Sequence, residues 1–308
     1  MLSNAQIDIR DTYILPHDGK YYMYGTCGFD AFSGTAGGFR CYVGNDLEHW
    51  DGPYCVFPND GTSWATSNYW APEVYEIDGK FYMFASWTSA PTEGGIRSPQ
   101  TICVLRADDP LGPFRIHNDR LCPGNDPTLY EKDGRYYLVY TDCKVTMLAA
   151  EMTADLSGFA GESVSLFSRT DPGVSWSVGG PTEGAETFVT KTGKLLVLWS
   201  SFCKGHSKKF AALGLKDMDY GTSIAYAPSG NIYGPYQHED VMLTPPNMGH
   251  CNLFYGLDDQ LMLATHYPDD DENEFGCSNP LFVKVDYRED IDSLRIDPKE
   301  WAKLEEDA

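Results

Sequence analysis

Positive charge is scarce in this chain. Lys and Arg number 23 against 45 Asp and Glu in 308 residues, a formal net charge of −22. Such a surface repels DNA, RNA and anionic lipid, so neither nucleic acid nor membrane is expected as a partner. No run of 18 apolar residues occurs, which argues against a membrane-spanning helix. The opening residues Met1-Leu2-Ser3-Asn4-Ala5 lack the basic and apolar segments of a secretory signal. The cysteines are nine, an odd number, and no two are spaced C-x-x-C. A disulfide framework and a structural zinc site are therefore both disfavoured, and reduced thiols in a cytoplasmic protein are the expectation. Linkers rich in Pro, Gly or Ser are also missing, which leaves one domain over 1–308.

What the chain does have is a repeat, and repeats decide architecture. Five times a polar or acidic residue leads into a short apolar stretch, a tight turn and a dense aromatic or aliphatic strand. The turns fall at Gly19, Gly79, Gly134, Gly193 and Asp259, 55 to 66 residues apart. Three of them read Asp-Gly and one Thr-Gly, signals for a β-hairpin. The strands that follow, such as Tyr21-Tyr22-Met23-Tyr24 and Leu195-Leu196-Val197-Leu198-Trp199, are apolar without alternation and need cover on both faces. Sheets stacked radially against neighbouring sheets supply that cover without helices. The expected fold is all-β, a five-bladed β-propeller. A short C-terminal helix over about 297–306 is expected too, with Asp297 as N-cap and Pro298 at the first helical position.

In a propeller the innermost strands run side by side along the axis, so equivalent repeat positions converge at one end of it. Counted back from the turns, Asp11 and Asp126 lie at minus eight, Glu183 at minus ten and Glu73 at minus six. All four offsets are even, so regular strands would point these carboxylates to one face; Glu186, at minus seven, would point to the other. A bulge would break that parity. Clustered carboxylates raise at least one pKa and so make a proton donor available near neutrality. One carboxylic acid on the leaving oxygen and one carboxylate on a water are the chemistry of glycoside hydrolysis.

The pieces that carry a family likeness are Arg10-Asp11-Thr12-Tyr13-Ile14, Trp70-Ala71-Pro72-Glu73-Val74, Asn125-Asp126-Pro127-Thr128-Leu129, Thr182-Glu183-Gly184, Leu198-Trp199-Ser200-Ser201-Phe202, and Gly249-His250 with Ala264-Thr265-His266. In order and spacing they resemble glycoside hydrolase family 43 over nearly the whole chain. The resemblance implies a five-bladed propeller, with Asp11 as general base, Asp126 as the residue that tunes pKa and orients, and Glu183 as general acid. Glu73 would then be structural, bonded to backbone. The chain departs from the family pattern in reading Asp11-Thr12 where the base motif has Asp-Pro. It departs again in reading Glu183-Gly184-Ala185-Glu186 where the acid motif has Glu-Gly-Pro, which leaves Glu186 open as the acid. Trp70, Phe29 and Asn125 are candidate sugar-contacting residues, and the loops 27–39, 89–100 and 203–221 are candidates to close a pocket. The resemblance also implies a cation (Ca or Na) or water cluster on the axis, with His250 as its ligand and His266 a weaker candidate; no cofactor is required.

These readings make the chain an inverting exo-glycosidase that takes a terminal α-L-arabinofuranosyl or β-D-xylosyl residue from an oligosaccharide. Endo-arabinanase action is the alternative within enzymes, and an inactive glycan-binding propeller the alternative outside them. Sucrose- and fructan-cleaving propellers need a Glu-Cys acid motif, and WD-type scaffolds need Trp-Asp and Gly-His in each repeat. Neither is present.

Overall fold

The computed structural model describes residues 1–27, 36–89, 99–212, 214–269, 278–297 and 299–301. Five antiparallel sheets follow one another along the chain, four of them four-stranded and the first five-stranded. They form the five blades of a β-propeller. The innermost strands are Ile9–His17, Ser67–Ile77, Asn125–Lys132, Ser177–Val189 and Asn252–Tyr255. Each pairs with the next strand in sequence: Lys20–Cys27, Lys80–Thr88, Arg135–Thr141, Leu195–Lys204 and Leu261–Tyr267. In the three Asp-Gly turns both residues have positive φ, the two-residue hairpin geometry whose twist matches that of the strands.

The second strands are buried on both faces, as their unbroken apolar sequence requires. In blade four, Val197 and Trp199 pack with Val139 and Phe167 of blade three. Their alternate neighbours Leu196 and Leu198 pack with Leu263 and Val283 of blade five. One strand thus serves two cores through its pleat. The first and last blades close the ring by backbone bonding, with Ile9 N donating to Ser278 O at 3.0 Å. Asn279 Nδ2 donates to Ile7 O at 2.8 Å, and Trp50 packs on Phe282.

Helix is minor. Residues 299–301 begin the expected C-terminal helix, with the Asp297 carboxylate accepting the Lys299 N–H at 2.7 Å, an N-cap bond; its continuation to 306 lies outside the described residues. A second helix, Lys208–Ala212, was not foreseen from the sequence. The eight described cysteines are free, and Cys277 lies outside the described residues.

Candidate active site

One irregularity, repeated in four blades, builds the site. Arg10 pairs with Thr26 and Tyr13 with Tyr24, so three steps on the inner strand face two on its partner. The same count separates Trp70 and Glu73 from Ser86 and Phe84, Asn125 and Thr128 from Thr141 and Val139, and Glu183 and Glu186 from Ser200 and Leu198. Each is a β-bulge, one extra residue that turns the strand. Its first residue is left-handed in every case: Asp11, Ala71, Asp126 and Gly184, with φ between 45° and 59°. His250 holds the same conformation ahead of the fifth inner strand, at φ 51°. Thr12 and Ala185, the departures from the family motifs, occupy the second bulge position that Pro72 and Pro127 fill in the other blades.

The bulge residues are tied from blade to blade. Thr26 Oγ1 accepts the Ala71 N–H at 2.9 Å, Ser86 Oγ that of Asp126 at 3.1 Å, and Ser200 Oγ that of His250 at 2.8 Å. At the closing junction His266 Nδ1 takes the place of a hydroxyl and accepts the Asp11 N–H at 3.2 Å. At the junction of blades three and four the Gly184 N–H goes instead to the Asp126 carboxylate, at 3.2 Å. Gly184 is needed there: it is left-handed, and a Cβ would meet the His250 ring at 3.0 Å.

Asp11, Asp126 and His250 are thereby brought together. His250 Nδ1 stands 3.2 Å from Asp11 Oδ1 and 3.6 Å from Asp126 Oδ2. Asp11 Oδ2 accepts the Thr26 hydroxyl at 2.6 Å, and Glu183 Oε1 accepts the Tyr220 hydroxyl at 2.9 Å. Asp126 and His250 are buried, whereas Asp11 and Glu183 are partly exposed at the mouth. Trp70 and Asn125 occupy the same strand position in their blades as Glu183 does in its own, just ahead of the bulge, and are half-buried. The Asn125 Oδ1 is buried without a hydrogen-bond partner. Phe29 and most of the loops 27–39 and 89–100 lie outside the described residues.

The five titrating groups divide by their surroundings. Burial pushes the Asp11 carboxyl up, but His250, His266 and Arg10 outweigh it and hold the group ionised, well below the ordinary carboxylate range. Burial pushes Glu183 up, the Asp126 charge adds to it, and the Tyr220 hydrogen bond opposes, leaving the carboxyl at about 8. Asp126 is raised by burial and by Asp11 against the pull of His250, to about 6. Burial lowers His250, but Asp11 and Asp126 reverse the shift and keep it an imidazolium. His266 is lowered by burial and by Arg10; the neutral ring accepts from Asp11 N and faces Asp269 through Nε2 at 3.1 Å.

The even-offset argument fails for Glu186, because the turn of blade four holds three residues, 191–193, where the Asp-Gly turns hold two. Glu73 and Glu186 hold equivalent positions two residues past the left-handed residue, and both are buried. Glu186 Oε2 accepts from Asn252 Nδ2 at 2.7 Å and Leu253 N at 3.1 Å, and its Oε1 from Thr187 N at 2.7 Å. Glu73 accepts from the Tyr75 hydroxyl rather than from backbone. Burial and the neighbouring Glu186 push Glu73 well above the ordinary range.

Sequence reasoning missed Tyr220, Thr26 and the pairing of Arg10 with Asp269, with Arg10 also donating to Ser278 Oγ at 3.0 Å, and it named His266 only as a cation ligand. Tyr220 lies on a third strand, outside the repeated unit. Arg10 adjoins the base and could have been flagged by its charge. The axial cation would rest on His250. Its Nδ1 already faces two aspartates, and among the described residues no group of three His, Cys, Asp or Glu side chains could hold a metal ion. A cation there would be held by the other ring nitrogen of His250 together with water, and no step below runs through one.

The sequence profile of glycosyl hydrolases family 43 matches residues 5–290. The chain belongs to that family. As a family 43 glycoside hydrolase it acts on carbohydrate, and its fold recurs in solved structures. An endo-arabinase from Bacteroides thetaiotaomicron VPI-5482 superposes with a TM-score of 0.77 at 24% identity, covering 94% of this chain and 98% of that one. An endo-1,4-beta-xylanase from the same organism gives 0.74 at 22%, covering 94% of each chain. An alpha-L-arabinofuranosidase from Lactobacillus brevis gives 0.70 at 17%, covering 92% of each. No curated protein matches the chain.

Proposed function

We propose that the enzyme hydrolyses α-L-arabinofuranosyl or β-D-xylosyl linkages with inversion, acting on terminal residues of plant-type oligosaccharides. The observation that carries the mechanism is that the two partly exposed carboxylates of the mouth are held in opposite protonation states. Asp11, facing His250 and Arg10, is the carboxylate; Glu183, beside Asp126 and capped by Tyr220, keeps its proton near neutral pH. Two carboxyl groups pushed apart in this way divide the work of base and acid. Asp11 takes a proton from the attacking water, and Glu183 gives one to the departing glycosidic oxygen. Asp126 acts through Glu183, whose pKa it raises, and through the Gly184 N–H that it binds. Burial raises Glu186 as well, to about 7, but it is a poor acid because it is buried away from the mouth and three N–H donors already bind its oxygens. Trp70 and the unpartnered Asn125 Oδ1 are the wall and the hydrogen-bonding group left for the sugar.

Likeness to an endo-arabinase over almost all of that chain favours a second reading, internal cleavage of arabinan. One experiment separates these outcomes: incubation with aryl pentosides and with arabino- and xylo-oligosaccharides, following the anomer released by NMR and the product lengths by chromatography. Release of single pentoses of inverted configuration is expected. A retained anomer overturns the mechanism; a ladder of short oligomers gives the endo reading.

A further inference from the structure

Against the overall charge of −22, residues 204–216 hold Lys204, Lys208, Lys209, Lys216 and His206 and no acidic residue. This segment joins the strands Leu195–Lys204 and Met218–Ala227 of blade four. At its base lies a groove of about 510 Å³ lined by Val178, Lys204, Gly205, His206, Lys216, Asp217 and Met218, a volume suited to a small ligand. Val178 and Met218 give it apolar surface, and lysine stems extend such surface while their ammonium groups stay at the rim. Asp217 faces His206 at 3.6 Å. Asp219 is buried, packs against Gly205 and accepts the Tyr220 N–H at 2.8 Å through Oδ1. Among the described residues neither Lys204 nor Lys216 makes a salt bridge.

The groove connects to the site along one face of the sheet. Met218 pairs with Lys204, and Tyr220 with Phe202. Residues two apart share a strand face at a rise of about 7 Å. Phe202 packs on Phe210 at 4.5 Å and against Tyr220 at 6.4 Å, and the Tyr220 hydroxyl binds the Glu183 carboxyl. The acid of a glycosidase faces the leaving oxygen. Tyr220 is itself buried, and the groove opens one strand step beyond it, outward from the acid.

We infer that this groove is a subsite for a carboxylate-bearing sugar, a uronate, one or two residues into the leaving group. The inference rests on Glu183 being the acid. A surface this acidic repels an anionic glycan, and a local excess of lysine beside the site offsets that repulsion only for an anionic ligand. The apolar surface meets the C–H face of a sugar ring, and Lys204 and Lys216 meet its carboxylate.

The test is calorimetric binding of two leaving-group mimics, each against the same molecule with its carboxylate reduced to the alcohol. One is a methylglucuronosyl xylobiose, the other a galacturonosyl rhamnose, so the two arms separate a xylan from a pectic source. At low salt the acidic form of one pair is expected to bind about five- to tenfold tighter, as two partly exposed ion pairs allow. The difference should vanish in Lys204→Gln/Lys216→Gln and shrink in 0.5 M salt. Equal affinity within both pairs, or a preference that survives in the double variant, overturns the subsite. A preference in an enzyme whose Glu183→Gln variant hydrolyses every substrate normally leaves an anion subsite and removes the acid assignment instead.

Discussion

Replacing Tyr220 by Phe removes one hydroxyl and leaves the ring against Phe202 and His266. That hydroxyl donates to Glu183 Oε1 at 2.9 Å, and the bond favours the ionised carboxylate. A hydrogen bond to a charged group is worth about 1.5–3 kcal/mol. Glu183 is only partly buried, so the low end applies, and about 1.4 kcal/mol corresponds to about one pKa unit. The proton of Glu183 is needed in the rate-determining complex, so activity falls as pH rises through its pKa, near 8. In Tyr220→Phe the alkaline limb of kcat/KM should move up by about one unit. The weaker acid should also slow poor leaving groups by about three- to tenfold at the optimum. Asp126→Asn should move the same limb the other way, because the Asp126 charge raises Glu183. The assay is kcat/KM from pH 5 to 10 on one aryl pentoside and one oligosaccharide for the three proteins. An unmoved limb in Tyr220→Phe, or a shift in the same direction for both variants, would refute Glu183 as the group that limits activity at high pH.

Asp11→Asn should cut kcat by at least about 100-fold on every substrate, since no other mouth carboxylate is held ionised to take the proton from water; steady-state rates check it. Glu183→Gln should lose oligosaccharide hydrolysis yet spare dinitrophenyl glycosides, which leave without a proton, and a leaving-group-dependent loss in Glu186→Gln instead would transfer the role to Glu186. Glu73→Gln should raise Tm at pH 8 and leave it unchanged at pH 4. The folded-state pKa of Glu73 is raised by burial and by Glu186, so its contribution is full below the unfolded value and is lost as pH rises. Each 1 kcal/mol recovered is worth about 2 °C by calorimetry in a chain of this size. Thiol titration of the unfolded protein without reductant should find nearly all nine cysteines free, and two or more disulfides would overturn that expectation.

The propeller was legible because its signals are local and repeated. Asp18-Gly19, Asp78-Gly79 and Asp133-Gly134 demand hairpins, and strands without polar alternation demand neighbours on both faces. The convergence of Asp11, Asp126 and Glu183 followed from the repeat as well. Parity failed for Glu186, which stands in register with Glu73 because the turn of blade four, closed by the Thr190 N–H on Lys194 O at 2.9 Å, holds three residues where the Asp-Gly turns hold two. A bulge is a backbone event with no fixed sequence mark: the left-handed residue is Asp, Ala, Asp, Gly and His in turn. What selects it is the hydroxyl or imidazole of the preceding blade that receives its N–H, from Thr26, Ser86, Ser200 or His266. Those partners lie 40 to 50 residues away in three junctions, and 255 in the fourth. The carboxylate chemistry was therefore readable from composition at repeat positions. The device that aims the carboxylates belongs to the contacts between blades, and only the folded ring brings those together.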